Sequence, residues 1–237
     1  MSRSRARKLR RQVASALAGA LAFGILALIS RADRAAESPL VGQARVVDGD
    51  TIDIAGTRIR LEGIDAPEIA QTCRSRLLGT WRCGEAAAAA MRRLTAKQVV
   101  SCERRGIDKY KRVLAVCFIA GEDINAEMVR EGLAWAFVKY SLSYVREEAH
   151  ARAEHVGVWQ GEAQPPWEFR AHRWAGAEDA APSGCAIKGN VSRSGRIYHM
   201  PWSPWYEKVR IEASKGKRWF CSEAEALAAG WRPVAMH

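Results

Sequence analysis

The run VVDGDTIDIAGTRIRLEGIDAPE, from Val46 to Glu68, limits what this chain can fold into more than any other stretch. Apolar and polar residues alternate through it, with a turn signal at Ala55-Gly56, so it reads as three short β-strands: Ala44 to Val47, Thr51 to Ile54 and Arg58 to Ile64. In the third, Ile59 and Leu61 share one face and Arg58 and Arg60 the other, so the pleat itself holds both arginines off an apolar core. Asp48 and Asp50 bracket a glycine at a strand end, and Asp65 and Glu68 flank a proline just beyond the third strand. Carboxylates converging from separate strand ends suit a hard divalent cation, and a guanidinium beside them suits a phosphate.

The strand pattern continues after an interruption. Gly84 to Lys97 is alanine-rich and predicts a helix of high intrinsic propensity. Two further strands are expected, Gln98 to Glu103 and Val113 to Ala120, joined by the basic connection RRGIDKYKR. Asp123 is placed to cap a helix that runs through Arg130 and stops at Gly132, and a third helix is expected from Val145 to His155. Five short strands with a helix inserted after the third predict a mainly-β α+β domain, a small closed barrel of the oligonucleotide-binding type (OB-fold) with about three helices. The chain divides into an N-terminal segment and linker (1–40), this barrel (41–163), a proline-containing stretch read as a linker with an anchoring aromatic or two (164–184), and a small unit rich in aromatics (185–237).

The chain has 237 residues, 48% of them hydrophobic, enough to bury a genuine core. Its formal charge of +11 points to an anionic partner, but six basic residues crowd into the first eleven positions, leaving about +5 for the rest, a moderate bias toward polyanions. An uncharged apolar stretch follows from Val13 to Ser30, which predicts export by either a cleaved signal or an uncleaved membrane anchor with its basic end cytoplasmic. In an exported chain the six cysteines favour disulfides. Cys73 and Cys83 lie in one polar insertion, Cys102 and Cys117 in two neighbouring predicted strands, and Cys185 and Cys221 near the C-terminus. There is no CxxC, no HExxH and no paired histidines, so a zinc site is not indicated.

With DGDT at 48–51, RLEGIDAPE at 60–68, DKYKR at 108–112, DINAEMVREGLAWAF at 123–137 and GVW at 157–159, the chain resembles the staphylococcal nuclease family, the thermonucleases, over residues 41–163. The resemblance implies a Ca²⁺-dependent hydrolase acting on phosphodiester bonds in DNA and RNA and leaving 3′-phosphates and 5′-hydroxyls. It implies that Asp50 and Asp65 are calcium ligands together with the backbone carbonyl of Ala66, where the familiar residue is threonine; a carbonyl ligand survives that change, and Pro67 biases Ala66 to extended geometry. Asp48 is expected to stabilise the turn rather than to bind metal. Glu68 corresponds to the general base, as proton acceptor or as the group that orients the water. Arg60 and Arg112 correspond to the arginines on the scissile phosphate, and Lys109 and Tyr110 to residues that contact a terminal phosphate. Lys111 replaces a glycine often found before the second arginine, and Val138 falls near the position of a base-stacking aromatic, with Phe137 and Tyr140 beside it.

Singly, these residues are ordinary. An Asp-Gly-Asp turn is common, a strand arginine usually faces solvent, and RRGIDKYKR could be a hydrophilic loop. Together they complete one pattern. The last segment resembles a small module appended to exported nucleases of this family, with IKGN, IYHMP and RWFCSEAEALAAGW as its pieces. Its aromatics are expected to form the core of a unit too small to fold on aliphatics, stapled by Cys185 and Cys221, with a single-strand stacking surface as the alternative. No protein partner is indicated and a monomer is expected. Two rivals to an enzyme stay open: a barrel that binds nucleic acid or another envelope polyanion without cutting it, and a scaffold whose function lies in the C-terminal unit.

Overall fold

The computed structural model describes residues 38–77, 79–193 and 195–234, so the predicted N-terminal signal or membrane helix lies outside the described residues. Among the described residues no helix is long and apolar enough to cross a membrane.

The barrel is built from a curled sheet. Strands β1 (Leu40–Gly42) and β2 (Ala44–Val46) are one segment bent at Gln43, followed by β3 (Thr51–Ile54), β4 (Thr57–Leu61) and the short β5 (Ile64–Asp65). The cysteine insertion forms a hairpin of β6 (Cys73–Ser75) and β7 (Gly79–Trp81), and after helix α1 (Cys83–Thr95) come β8 (Val100–Ile107), β9 (Val113–Ile119) and β10 (Glu122–Asp123). The sheet order is β1-β8-β9-β4-β3-β2, with β10 added on β9. Because β1 and β2 are halves of one bent segment, the sheet's two ends are joined by the chain itself, and five strands close a barrel. β4 and β9 run parallel, which places Arg60 opposite Leu114.

The expected strand Arg58 to Ile64 is split by a turn at Glu62 and Gly63, and the basic connection is shorter than expected because Arg104 to Ile107 finish β8. The core is aliphatic: Ile52, Ile59, Leu61, Met91, Val100 and Met128 are essentially inaccessible. Helix α2 (Ile124–Arg130) is capped by Asp123, whose side chain accepts from the backbone N–H of Asn125 and Ala126. Inside it, Asn125 donates to the carbonyl of Glu62 and accepts from the N–H of Cys117, tying the helix to two strands. Strand β11 (Trp135–Ala136) pairs with β5, so Trp135 lies opposite Asp65, and α3 (Val145–Ala153) follows.

One expectation is corrected. Residues 164–184, read as a linker, hold the fifteen-residue helix α4 (Pro166–Ala180), with Pro166 in the first turn, where its missing N–H costs nothing. Its tryptophans supply the reason: Trp167 stacks on Phe137 at 5.5 Å and 10°, and Trp174 packs against the core of the C-terminal unit. That unit contains β12 (Ile187–Ser192), β13 (Gly195–His199), β14 (Arg218–Phe220), helix α5 (Glu223–Ala228) and β15 (Arg232–Pro233), with sheet order β14-β12-β13-β15. Tyr198, Phe220 and Trp231 are buried at its centre with Ile187, in keeping with aromatics as core. The bridges Cys73–Cys83, Cys102–Cys117 and Cys185–Cys221 are all formed.

Candidate active site

Backbone contacts place three acidic residues of the opening motif, Asp48, Asp50 and Glu68. In the turn after β2, the Asp48 side chain accepts from the N–H of Asp50, as a turn-stabilising residue should. The turn lies so close to its neighbours that a Cβ at Gly49 would come within 2.7 Å of Ala66 and 2.8 Å of Ala87. Asp50 is thereby turned inward. Its Oδ1 accepts from the Thr51 hydroxyl and its Oδ2 from the N–H of Ala66 at 2.8 Å, which holds Ala66 against the carboxylate. Glu68 is placed from the other side, because at Gly84 a Cβ would meet the Glu68 carbonyl at 1.7 Å; only glycine lets α1 start there. Buried Gln71 accepts from the Glu68 N–H and donates to the carbonyl of Gln164, just before α4.

Arg60 crosses between the two aspartates. Its Nη1 donates to Asp50 at 2.5 Å and its Nη2 to Asp65 at 2.6 Å, and the Asp65 side chain is fully buried. Burial opposes the guanidinium charge, but Asp50, Asp65 and Asp48 outweigh it and raise its pKa further. The carboxylates move the opposite way. Burial raises Asp48, with Glu68 adding to the effect, and burial raises Asp50 despite Arg60. Glu68 is pushed up to about 7 by burial, opposed by Arg170 and reinforced by Asp50 and Asp65.

Arg170 is the residue that sequence reasoning missed. It projects from α4, and its Nη1 donates to Asp65 Oδ1 at 3.1 Å and Glu68 Oε1 at 2.9 Å while its Nη2 donates to Asp65 Oδ2 at 2.7 Å. The signal was present in WEFRAHRW: Trp167, Arg170 and Trp174 have the i, i+3, i+7 spacing of one helix face, so the two anchoring tryptophans also aim the arginine.

Arg112 does not join this cluster. It is held in the loop after β8, where its Nε donates to Asp108 Oδ2 at 2.7 Å and its N–H to Asp108 Oδ1. Lys111 before it has φ +62°, the left-handed conformation that a glycine would adopt without strain. Tyr110 lies between two cations, with Lys109 Nζ at 4.8 Å and the Arg112 guanidinium at 5.3 Å from its ring. Tyr110 and Arg112 line a cavity of about 320 Å³ together with Asp48 and Glu68, and Tyr198, Met200 and Trp202 of the C-terminal unit form its other wall. Of the aromatics near the expected stacking position, Phe137 is covered by Trp167, whereas Tyr140 and Val138 are exposed.

Asp50, Asp65 and Glu68 offer only oxygen ligands, and these three carboxylates face two guanidinium groups, a surplus of negative charge that a hard divalent cation would offset. Among the described residues no three His, Cys, Asp or Glu side chains converge closely enough to hold an ion by themselves. Carbonyl and water oxygens would have to complete the shell, as hard cations allow.

Residues 58–161 match the family described as Staphylococcal nuclease homologue, and residues 167–233, beginning within α4, match the one described as ArfC. The chain is 37% identical over 144 residues to the succinoglycan biosynthesis protein ExoI of Rhizobium meliloti, covering 60% of this chain and 74% of that protein. It is 35% identical to the micrococcal nuclease of Shigella flexneri (53% of this chain, 77% of the relative) and 32% identical to the thermonuclease of Staphylococcus intermedius (55% and 81%). A chain that spans more than three quarters of two nucleases at such identity belongs to the staphylococcal nuclease family.

Proposed function

We propose that this protein is an exported Ca²⁺-dependent nuclease that hydrolyses phosphodiester bonds in DNA and RNA and leaves 3′-phosphate and 5′-hydroxyl ends. The observation that carries the reading is the convergence of Asp50 and Asp65 on Arg60, with Glu68 joined to Asp65 through Arg170 and Arg112 on the rim of the cavity that Glu68 also lines. Asp50, Asp65 and the carbonyl of Ala66 would hold the calcium ion. When bound, calcium supplies Lewis-acid neutralisation of the phosphate.

The remaining steps belong to the chain. Glu68, half-protonated near pH 7 in the cation-free protein, gains ionised character as positive charge enters the site, and then accepts a proton from the attacking water or orients it. Arg60 and Arg112 offer flat N–H forks to the phosphate oxygens as charge grows on them in the transition state. Tyr110 and Lys109 extend the cationic rim along which a polyanion would lie. Export, by anchor or cleaved signal, rests on the apolar run from Val13 to Ser30 and is supported by three disulfides in the remainder of the chain.

One observation favours a second reading, a barrel that grips nucleic acid without cutting it: Asp65 and Glu68 are both engaged by Arg170. Incubating the full chain with single-stranded DNA and Ca²⁺, with and without chelator, beside a Glu68→Ala variant separates the two. The enzyme reading expects chelator-sensitive cutting that the variant lacks, with 3′-phosphate ends on the products. Binding with no calcium-dependent cutting by the unmodified chain would establish the rival.

A further inference from the structure

Arginine takes three of the four lone pairs on the Asp65 carboxylate. Each carboxylate oxygen has two lone pairs; Oδ1 takes N–H groups from Arg60 and Arg170, and Oδ2 takes one from Arg170. One lone pair on Oδ2 remains, so a cation that binds this carboxylate sits against the Arg170 guanidinium and competes with it for the same oxygens. The two arginines are not equally free to withdraw. Arg60 is anchored in a barrel strand and tied to two aspartates, whereas Arg170 comes from a helix 105 residues away in sequence and is the more exposed, at 21% against 15%. Trp167 and Trp174 hold the helix on either side of it, so the side chain can leave while α4 stays seated.

We propose that Arg170 is a built-in counter-ion for the active site, which occupies Asp65 and Glu68 in the cation-free protein and gives up Asp65 when a divalent cation binds. Helix α4, seated on the C-terminal unit through Trp174, thereby sets the cation affinity of the barrel. This rests on the reading of Asp65 as a calcium ligand. The guanidinium fork gives Glu68 its charged partner and Asp65 a second one beside Arg60, and in doing so it competes for the atoms the cation needs. Loss of the fork frees those atoms and removes a repelling charge, so both effects tighten cation binding.

The competition is measured without reference to cleavage, by calorimetric titration of Ca²⁺ into the full chain and into Arg170→Gln, Arg170→Lys and Arg173→Gln variants. Arg173 lies on the same helix but bonds to Glu207 and to the carbonyl of Pro201, so its loss removes a nearby charge without freeing a carboxylate of the site. Arg170→Gln is expected to bind Ca²⁺ at least about tenfold more tightly than the unmodified chain, the scale of a charge-assisted hydrogen bond lost to the competitor. Arg170→Lys should fall between, because it keeps the charge without the fork, and Arg173→Gln should stay close to the unmodified chain. Arg170→Gln should also melt at a lower temperature without cation and show a larger rise on adding Ca²⁺. Equal or weaker binding by Arg170→Gln, or an equal gain in Arg173→Gln, overturns the proposal while leaving the calcium site intact. Failure of every variant to bind Ca²⁺ overturns the calcium reading along with it.

Discussion

The barrel and the C-terminal unit reach the same carboxylates by different means. In the barrel, one continuous aliphatic core fixes strand register, and register decides which side chains meet: Arg60 faces Asp50 and Asp65 because β4 lies between β3 and β9. The C-terminal unit has a small core centred on Tyr198, Phe220 and Trp231, a bridge between Cys185 and Cys221, and a helix that two tryptophans hold in place. Helix α4, packed against that unit through Trp174, contributes Arg170 through tertiary packing. The lesson is that a large core can carry buried charge by itself, whereas a small one adds charge to the site only by leaning on its neighbour.

The sharpest way to break the comparison is at Arg60. Arg60→Lys keeps the charge that the barrel needs but loses the fork, and single-turnover cleavage in Ca²⁺ should slow by about 10²–10³-fold, as for other preorganised transition-state donors. A rate within tenfold of the unmodified chain would mean that the barrel arginine does not carry the chemistry. Next is Phe220→Ala, which empties the centre of the small core and should cost about 3–5 kcal/mol by chemical denaturation. Hydrogen exchange should then rise through β12 to β14 while β3, β4 and β9 stay protected; equal loss in both regions would show that they share one core after all.

Glu68 gives a pH test of similar or smaller size. Its carboxyl lies near 7 in the folded, cation-free protein against an ordinary 4.5, so folding favours the protonated form. The stability this contributes is complete below about pH 4.5 and is lost as the pH rises toward 7. Glu68→Gln mimics the protonated form at every pH. Its unfolding free energy should match that of the unmodified chain near pH 4.5 and exceed it above pH 7, by a margin on the order of 3 kcal/mol. A difference independent of pH would contradict the buried, shifted carboxyl. The smallest effect is expected at Lys111→Gly. Relief of the left-handed backbone is largely offset by the greater freedom of glycine in the unfolded chain, so stability should change by less than about 1 kcal/mol. A larger loss would show that the Lys111 side chain itself holds the loop that carries Arg112.

Most of the barrel was legible because alternation and turn chemistry are local. The strands around Ala55-Gly56, the Asp123 cap and the helix from Gly84 all follow from residues a few positions apart. Asp48, Asp50, Asp65 and Glu68 could be picked out for the same reason, as could the cysteine pairs, each within one insertion, hairpin or unit. What escaped was set by distance. Arg170 lies in a stretch whose prolines, glycine and mixed polarity read as a linker, and its helix is stabilised by Phe137 and by the C-terminal core, neither of which is local to it. The split of the third strand at Glu62 and Gly63 was hidden for a related reason: Asn125, from a distant helix, takes up the Glu62 carbonyl there.

The most direct measurement is a crystal structure of the full chain grown with Ca²⁺. An ion is expected within about 2.3–2.6 Å of oxygens from Asp50, Asp65 and the Ala66 carbonyl, with the Arg170 guanidinium withdrawn from Asp65. A calcium ion bound elsewhere, or one bound to Asp65 with both Arg170 hydrogen bonds to that carboxylate intact, would contradict this expectation.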